Sequence, residues 1–145
     1  MESKLSKRLA DIVHALPLID GIRVLEIGCG PGAMAREISR RIGSGHILAI
    51  DRSARAIQQA TNGSKAEIES GKLLFRHVAI EQFRLKPNEK KFDIAIAVRV
   101  GALDGRHPEI EKQALANIAH ALTENGRLFI DGGNPLKEII LDEYR

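Results

Sequence analysis

The 145-residue sequence predicts an α/β fold, a doubly wound and mainly parallel sheet covered by helices on both faces, and three observations carry that prediction. Short apolar runs suited to buried strands alternate with segments whose apolar residues recur every three or four positions. The first strand-like run stops at three glycines within five residues, Gly28, Gly30 and Gly32, and a helix-like segment follows. A second apolar run ends in an acid, Asp51, about twenty residues beyond that loop. Such alternation calls for right-handed crossovers between parallel strands.

Taken in order, the first helix is expected over residues 3–16, where Leu5, Leu9, Ile12, Val13 and Leu16 form one stripe and Pro17 stops it. Ile22, Val24, Leu25 and Ile27 mark the first strand, and Met34, Ile38 and Ile42 the helix after the glycine loop. Residues 46–50 form the second strand, with Ser53 placed to cap the next helix. Asn62-Gly63 and Gly71 punctuate the second crossover, 72–78 read as the third strand, and Lys86-Pro87-Asn88 as a loop. The fourth strand spans 92–98 and opens into the loop 99–109, followed by a helix over 108–122 with Pro108 at its first position. Glu124-Asn125-Gly126 turns the chain into a fifth strand over 127–131. The remaining residues 132–145 suffice for one short helix, in which Leu136, Ile139, Ile140 and Tyr144 share a face. The expectation is therefore one domain over 1–145, with a helix and linker over 1–20 and a short tail over 132–145. An open fifth strand favours self-association, so a homodimer through that strand or the tail is expected.

The chemistry concentrates in Val24 to Gly32, Val-Leu-Glu-Ile-Gly-Cys-Gly-Pro-Gly. A glycine turn between strand and helix brings main-chain N–H groups and a helix N-terminus close to a ligand. The spacing Gly28-x-Gly30-x-x-Ala33 fits the pattern that binds a dinucleotide pyrophosphate. Glu26 argues against that use, because a carboxylate two residues before the loop repels a dianion and suits a ligand bearing positive charge.

Glu26-Ile27-Gly28-Cys29-Gly30-Pro31-Gly32 resembles, without a mismatch, the first motif of the class I S-adenosylmethionine-dependent methyltransferases, whose fold is Rossmann-like. That resemblance implies S-adenosylmethionine as cofactor. Glu26 then anchors the methionine ammonium or nearby ribose, Gly28, Gly30 and Gly32 admit the amino-acid moiety with Cys29 as a small loop residue, and Asp51 holds the ribose hydroxyls. Read alone, Asp51 has a structural alternative as a helix cap, but Ser53 can fill that role, which leaves Asp51 free. Arg52 stands where the family often has an apolar residue over the adenine, and a guanidinium can stack there instead. Ala79 and Ile80 stand where relatives often carry an acid that binds the adenine amino group, which leaves that contact to backbone amides. Val98 completes the expected cofactor set, at the end of a strand that follows the family's Phe-Asp pattern at Phe92-Asp93. The family usually adds a final antiparallel hairpin after strand five, and the sequence reads as a minimal five-strand version lacking it.

The 99–109 loop carries Arg99, Asp104, Arg106 and His107 at the end of a parallel strand, where open α/β sheets keep ligands. His107 and Asp104 are the candidate bases, each with a structural alternative: Asp104-Gly105 is a turn dipeptide, and His107 precedes a helix. For Arg99, a structural ion pair competes with binding a substrate carboxylate. The sequence lacks the Asn/Asp-Pro-Pro-Tyr segment of enzymes that methylate amide or nucleobase amino groups, and it lacks a nearby nucleophilic cysteine. Its histidines show no metal-ligand spacing, so no metal is expected. A net charge of +3 with aromatics at 3% does not indicate a nucleic-acid partner. A single cysteine excludes an internal disulfide, and neither a leader peptide nor a membrane-length apolar stretch is read. The expected function is methyl transfer to a small-molecule acceptor in the cytoplasm. The alternatives are a non-catalytic S-adenosylmethionine-binding module working with a partner chain, and an NAD-dependent oxidoreductase.

Overall fold

A computed structural model describes residues 5–145. In chain order the elements are α1 (Lys7–Ala15), β1 (Arg23–Ile27), α2 (Ala33–Ser39), β2 (His46–Asp51), α3 (Ala54–Asn62), α4 (Lys65–Glu69), β3 (Leu73–His77), β4 (Phe92–Ala97), α5 (Pro108–Ala121), β5 (Leu122–Asp131) and β6 (Leu136–Ile139). The first two residues of the expected N-terminal helix lie outside the described residues; Ser6 caps α1, its hydroxyl accepting from the Leu9 N–H.

The strands form one six-stranded sheet in the order β3-β2-β1-β4-β5-β6, parallel throughout except for β6. Period-2 alternation divides the core between the two faces. Leu25, Ile27, Leu48, Ile50, Ala95 and Ala97 point to the side covered by α5. Val24, Ile47, Ala49, Ile94 and Ile96 point to the side covered by α1 and α2. Chain order reverses between β1 and β4, and outside the carboxyl ends of these two strands lies the crevice in which such sheets bind ligands.

The expected five-strand sheet with a bare fifth strand is corrected at the C-terminus. The tail is not a helix: it turns back at Gly132-Gly133 and pairs antiparallel with β5, Leu128 opposite Ile139 and Asp131 opposite Leu136. The reversal is tight enough that a Cβ on Gly133 would lie 2.0 Å from the Leu136 carbonyl oxygen. Pairing satisfies the outer N–H and C=O groups of β5, which a helix laid on the sheet face would leave open. Leu141 then enters the α5 side of the core at 2% exposure, while Ile140 stays 66% exposed, so the helical spacing of the tail is overridden. The open edge of the sheet on this side is therefore β6, within the tail, rather than β5. β5 also begins earlier than expected, at Leu122, and absorbs the Glu124-Asn125-Gly126 turn as an irregularity in its pairing with β4. Among the described residues, no helix is long and apolar enough to cross a membrane.

Candidate functional site

The glycine loop is shaped by bonds from the neighbouring strand. The N–H groups of Gly28 and Cys29 both donate to the Ile50 carbonyl, at 2.9 and 3.0 Å. The Gly30 N–H donates to Asp51 Oδ2 at 2.9 Å, and the Ser53 N–H to Asp51 Oδ1 at 2.8 Å. Ser53 caps α3 as expected, its Oγ accepting from the Ala56 N–H. Asp51 is nonetheless not left free by that cap: its carboxylate ties the loop to the start of α3. Gly28 adopts a φ of 75°, and a Cβ there would come within 2.8 Å of Val100, so only glycine leaves the crevice open at this point.

Glu26 sits beneath the loop on β1, 3% exposed, and its Oε1 has no hydrogen-bond partner. Burial pushes its pKa up to about 8, the Asp51 charge adds to the rise, and the Arg36 charge opposes it. Arg36, on α2, is itself 1% exposed; its Nη1 donates to the Pro31 carbonyl at 3.1 Å and to Ser64 Oγ at 2.9 Å, bracing the loop from behind. Burial, with the nearby Glu26 and Asp51 charges, also drives the Cys29 thiol far above its ordinary range, which leaves it an inert small side chain.

Two clefts flank Gly28. One, of about 290 Å³, brings together Asp51, Arg52, Ala79 and Ile80 with Arg99, Arg106 and His107. Its floor is fixed by Asn117 on α5, 3% exposed, whose Nδ2 donates to the Ile80 carbonyl at 2.9 Å. The other, of about 530 Å³, is lined by Glu26, Cys29, Gly30, Val98 and Arg99. Gly32 caps α2 and lines neither cleft. Nor does Asp104 line either; its carboxylate is held below the usual range chiefly by the hydrogen bond from Arg106, 3.0 Å from Nε to Oδ1. His107 lines the smaller cleft with Nδ1 3.3 Å from Glu109 Oε1.

Some site residues carried no sequence signal. Ser6, the cap of α1, and Arg8 and Leu9 in its first turn wall the larger cleft, although the sequence shows α1 only as an apolar stripe. Asp131, at the end of β5, accepts from Arg8 Nη2 at 2.6 Å and from the Arg99 N–H at 3.1 Å, fastening α1 and the loop after β4 to one carboxylate. The residues it joins are 123 and 32 positions away, beyond the reach of any local pattern. Among the described residues there is no group of three or more His, Cys, Asp or Glu side chains able to hold a metal ion.

Residues 24–126 match the model of a family described as a methyltransferase domain. Over 101 residues the chain is 31% identical to a sterol 24-C-methyltransferase of Gibberella zeae, a match covering 68% of this chain and 26% of that protein. The fold resembles that of a SAM-dependent methyltransferase from Thiobacillus denitrificans solved with S-adenosyl-L-homocysteine, with a TM-score of 0.66 at 24% identity, covering 88% of this chain and 48% of the other. It resembles equally a SAM-dependent methyltransferase from Geobacter sulfurreducens, also solved with S-adenosyl-L-homocysteine, with a TM-score of 0.66 at 21% identity, covering 89% and 49%. The chain thus spans about a quarter of the matched sterol enzyme and about half of each solved relative.

Proposed function

The chain belongs to the methyltransferase-domain family, and on that premise we propose that it is an S-adenosylmethionine-dependent methyltransferase acting on a small-molecule acceptor. One observation carries the reading: a buried carboxylate, Glu26, with an unpartnered oxygen on the wall of the cleft beside the glycine loop. An orphaned acceptor on the wall of a largely apolar cleft is complementary to an ammonium, and a cation placed there lowers the pKa of Glu26 and lets it ionise. The same carboxylate opposes a pyrophosphate.

In this reading Glu26 holds the methionine ammonium, and the main chain at Gly28, Cys29 and Gly30 lies along the amino-acid moiety. Asp51, oriented by two backbone N–H groups, keeps lone pairs for the ribose hydroxyls. Arg52, Ala79 and Ile80 enclose the adenine, and Val98 closes the larger cleft. Gly32 contributes indirectly, by starting α2. When bound, the cofactor supplies a methyl group made electrophilic by its sulfonium. The protein's task is to hold the acceptor in line with that methyl and to exclude water, an effect of proximity and orientation. An acceptor that carries a proton needs a base, and of the two candidates only His107 lines a cleft, while Asp104 is committed to Arg106.

Calorimetry against S-adenosylhomocysteine and NAD tests the reading. S-adenosylhomocysteine is expected to bind and NAD not to; equal or tighter binding of NAD overturns it.

A further inference from the structure

Arg99 and Gly28 line both clefts, and Arg99 alone of the two has a side chain. Its backbone is left-handed, with φ 57°, a conformation that costs a non-glycine residue on the order of 1 kcal/mol or more and persists only where neighbours enforce it. Neighbours do enforce it. The Arg99 N–H is held by Asp131 Oδ1 at 3.1 Å, and its carbonyl accepts from Arg106 Nη2 at 2.8 Å. The main chain is thus fixed on both sides, while among the described residues the guanidinium has no hydrogen-bond or ion-pair partner. Of the acids around it, Asp131 Oδ2 is engaged with Arg8 at 2.6 Å and Asp104 with Arg106 at 2.9 Å, while Glu26, which shares the larger cleft, is buried and makes no bond to Arg99. Glu81, which shares the smaller cleft, is not bonded to Arg99 either. A guanidinium is a planar fork of N–H donors, and its best complement is a carboxylate, met through two parallel bonds.

Resting on the cofactor reading above, we propose that Arg99 is the receptor for an organic carboxylate where the two clefts meet. Two sources share that chemistry, the α-carboxylate of the cofactor and a carboxyl group on the acceptor. The first makes Arg99 a cofactor-binding residue; the second makes the acceptor an acid and Arg99 its specificity determinant.

Calorimetry on the full chain and on its R99Q and R99G variants separates them, with three probes: S-adenosylhomocysteine, its decarboxylated analogue, and benzoate titrated into protein saturated with S-adenosylhomocysteine. R99G suits the positive φ, so it preserves the loop while removing the charge. If the cofactor supplies the carboxylate, both variants lose about tenfold or more in affinity for S-adenosylhomocysteine and nothing for the decarboxylated analogue. If the acceptor supplies it, both variants keep their affinity for the two adenosine compounds and lose the benzoate binding that the loaded wild-type protein shows. Unchanged affinity for every probe overturns the proposal. So does a loss in R99Q that R99G restores, which marks a backbone role only. A wild-type chain that binds neither adenosine compound overturns the cofactor reading itself, so the two failures are distinct.

Discussion

Replacing Glu26 with Gln should remove the fall in stability with rising pH that this one carboxyl imposes. The carboxyl group is 3% exposed, and its pKa rises from an ordinary 4.5 to about 8, with burial as the main cause. Between those values the folded protein keeps the proton and the unfolded chain has lost it, so the folded state binds more protons and stability falls as pH rises. The slope is about 1.4 kcal/mol per pH unit, and across the whole interval the loss amounts to about 5 kcal/mol. That compares with a total stability of roughly 5–15 kcal/mol for a domain, so one side chain removes a large share of the stability of the ligand-free fold in mild alkali. The E26Q side chain mimics the protonated acid and has nothing to titrate. Urea denaturation of both proteins at about pH 5, 7 and 9 isolates the effect, because every other group titrates alike in the two. The curves should coincide near pH 5, and E26Q should be the more stable by several kcal/mol near pH 9. A difference below about 1 kcal/mol at the alkaline end refutes the argument that burial governs this carboxyl. Saturating S-adenosylmethionine should flatten the wild-type slope, since a cation beside Glu26 stabilises its charged form.

Asp51→Ala removes the acceptor of two backbone N–H bonds, so beyond weakening S-adenosylhomocysteine at least about tenfold it should cost about 2 kcal/mol of stability. For a chain of 145 residues that is a fall of roughly 6 °C in Tm, readable by calorimetry; an unchanged Tm means the carboxylate does not brace the loop. Leu141→Ala should cost about 2–5 kcal/mol, because the side chain is 2% exposed in the core, measured by urea denaturation. Its neighbour Ile140, 66% exposed, should tolerate alanine within about 0.5 kcal/mol, and equal costs at the two positions contradict the observed path of the tail.

Several parts of the site are legible in the sequence alone. Gly28, Glu26 and Asp51 lie within one strand–turn–helix–strand unit, and the physics of that unit is local: a strand must end, a turn must adopt positive φ, and an acid must sit at a set distance. The roles of Asp104 and His107 were less legible. Which of two loop groups faces a cleft depends on how Arg106 folds over Asp104, and residue type does not encode that. The sequence also placed Asp51 free of structural duty once Ser53 was the cap, because a cap is a local feature and the bond from the Gly30 N–H comes from a segment 21 residues earlier.

By itself, then, the sequence determined the alternation of strands and helices as far as β5, the parallel sheet, the glycine loop and the sign of the charge beside it. Each follows from periodicity and from short-range sterics and electrostatics, which act over a few residues. Only the tertiary structure decided three things. The tail became β6 rather than a helix, since the open hydrogen bonds of β5 outweigh the helical spacing of Leu136, Ile139 and Ile140. Arg8 reached the cleft because Asp131, 123 residues away, draws α1 over the strand ends. Arg99 was fixed at the junction of the clefts because Asp131 and Arg106 hold its backbone from opposite sides. Contacts between distant segments depend on how the layers pack, and packing is a property of the whole chain rather than of any stretch within it.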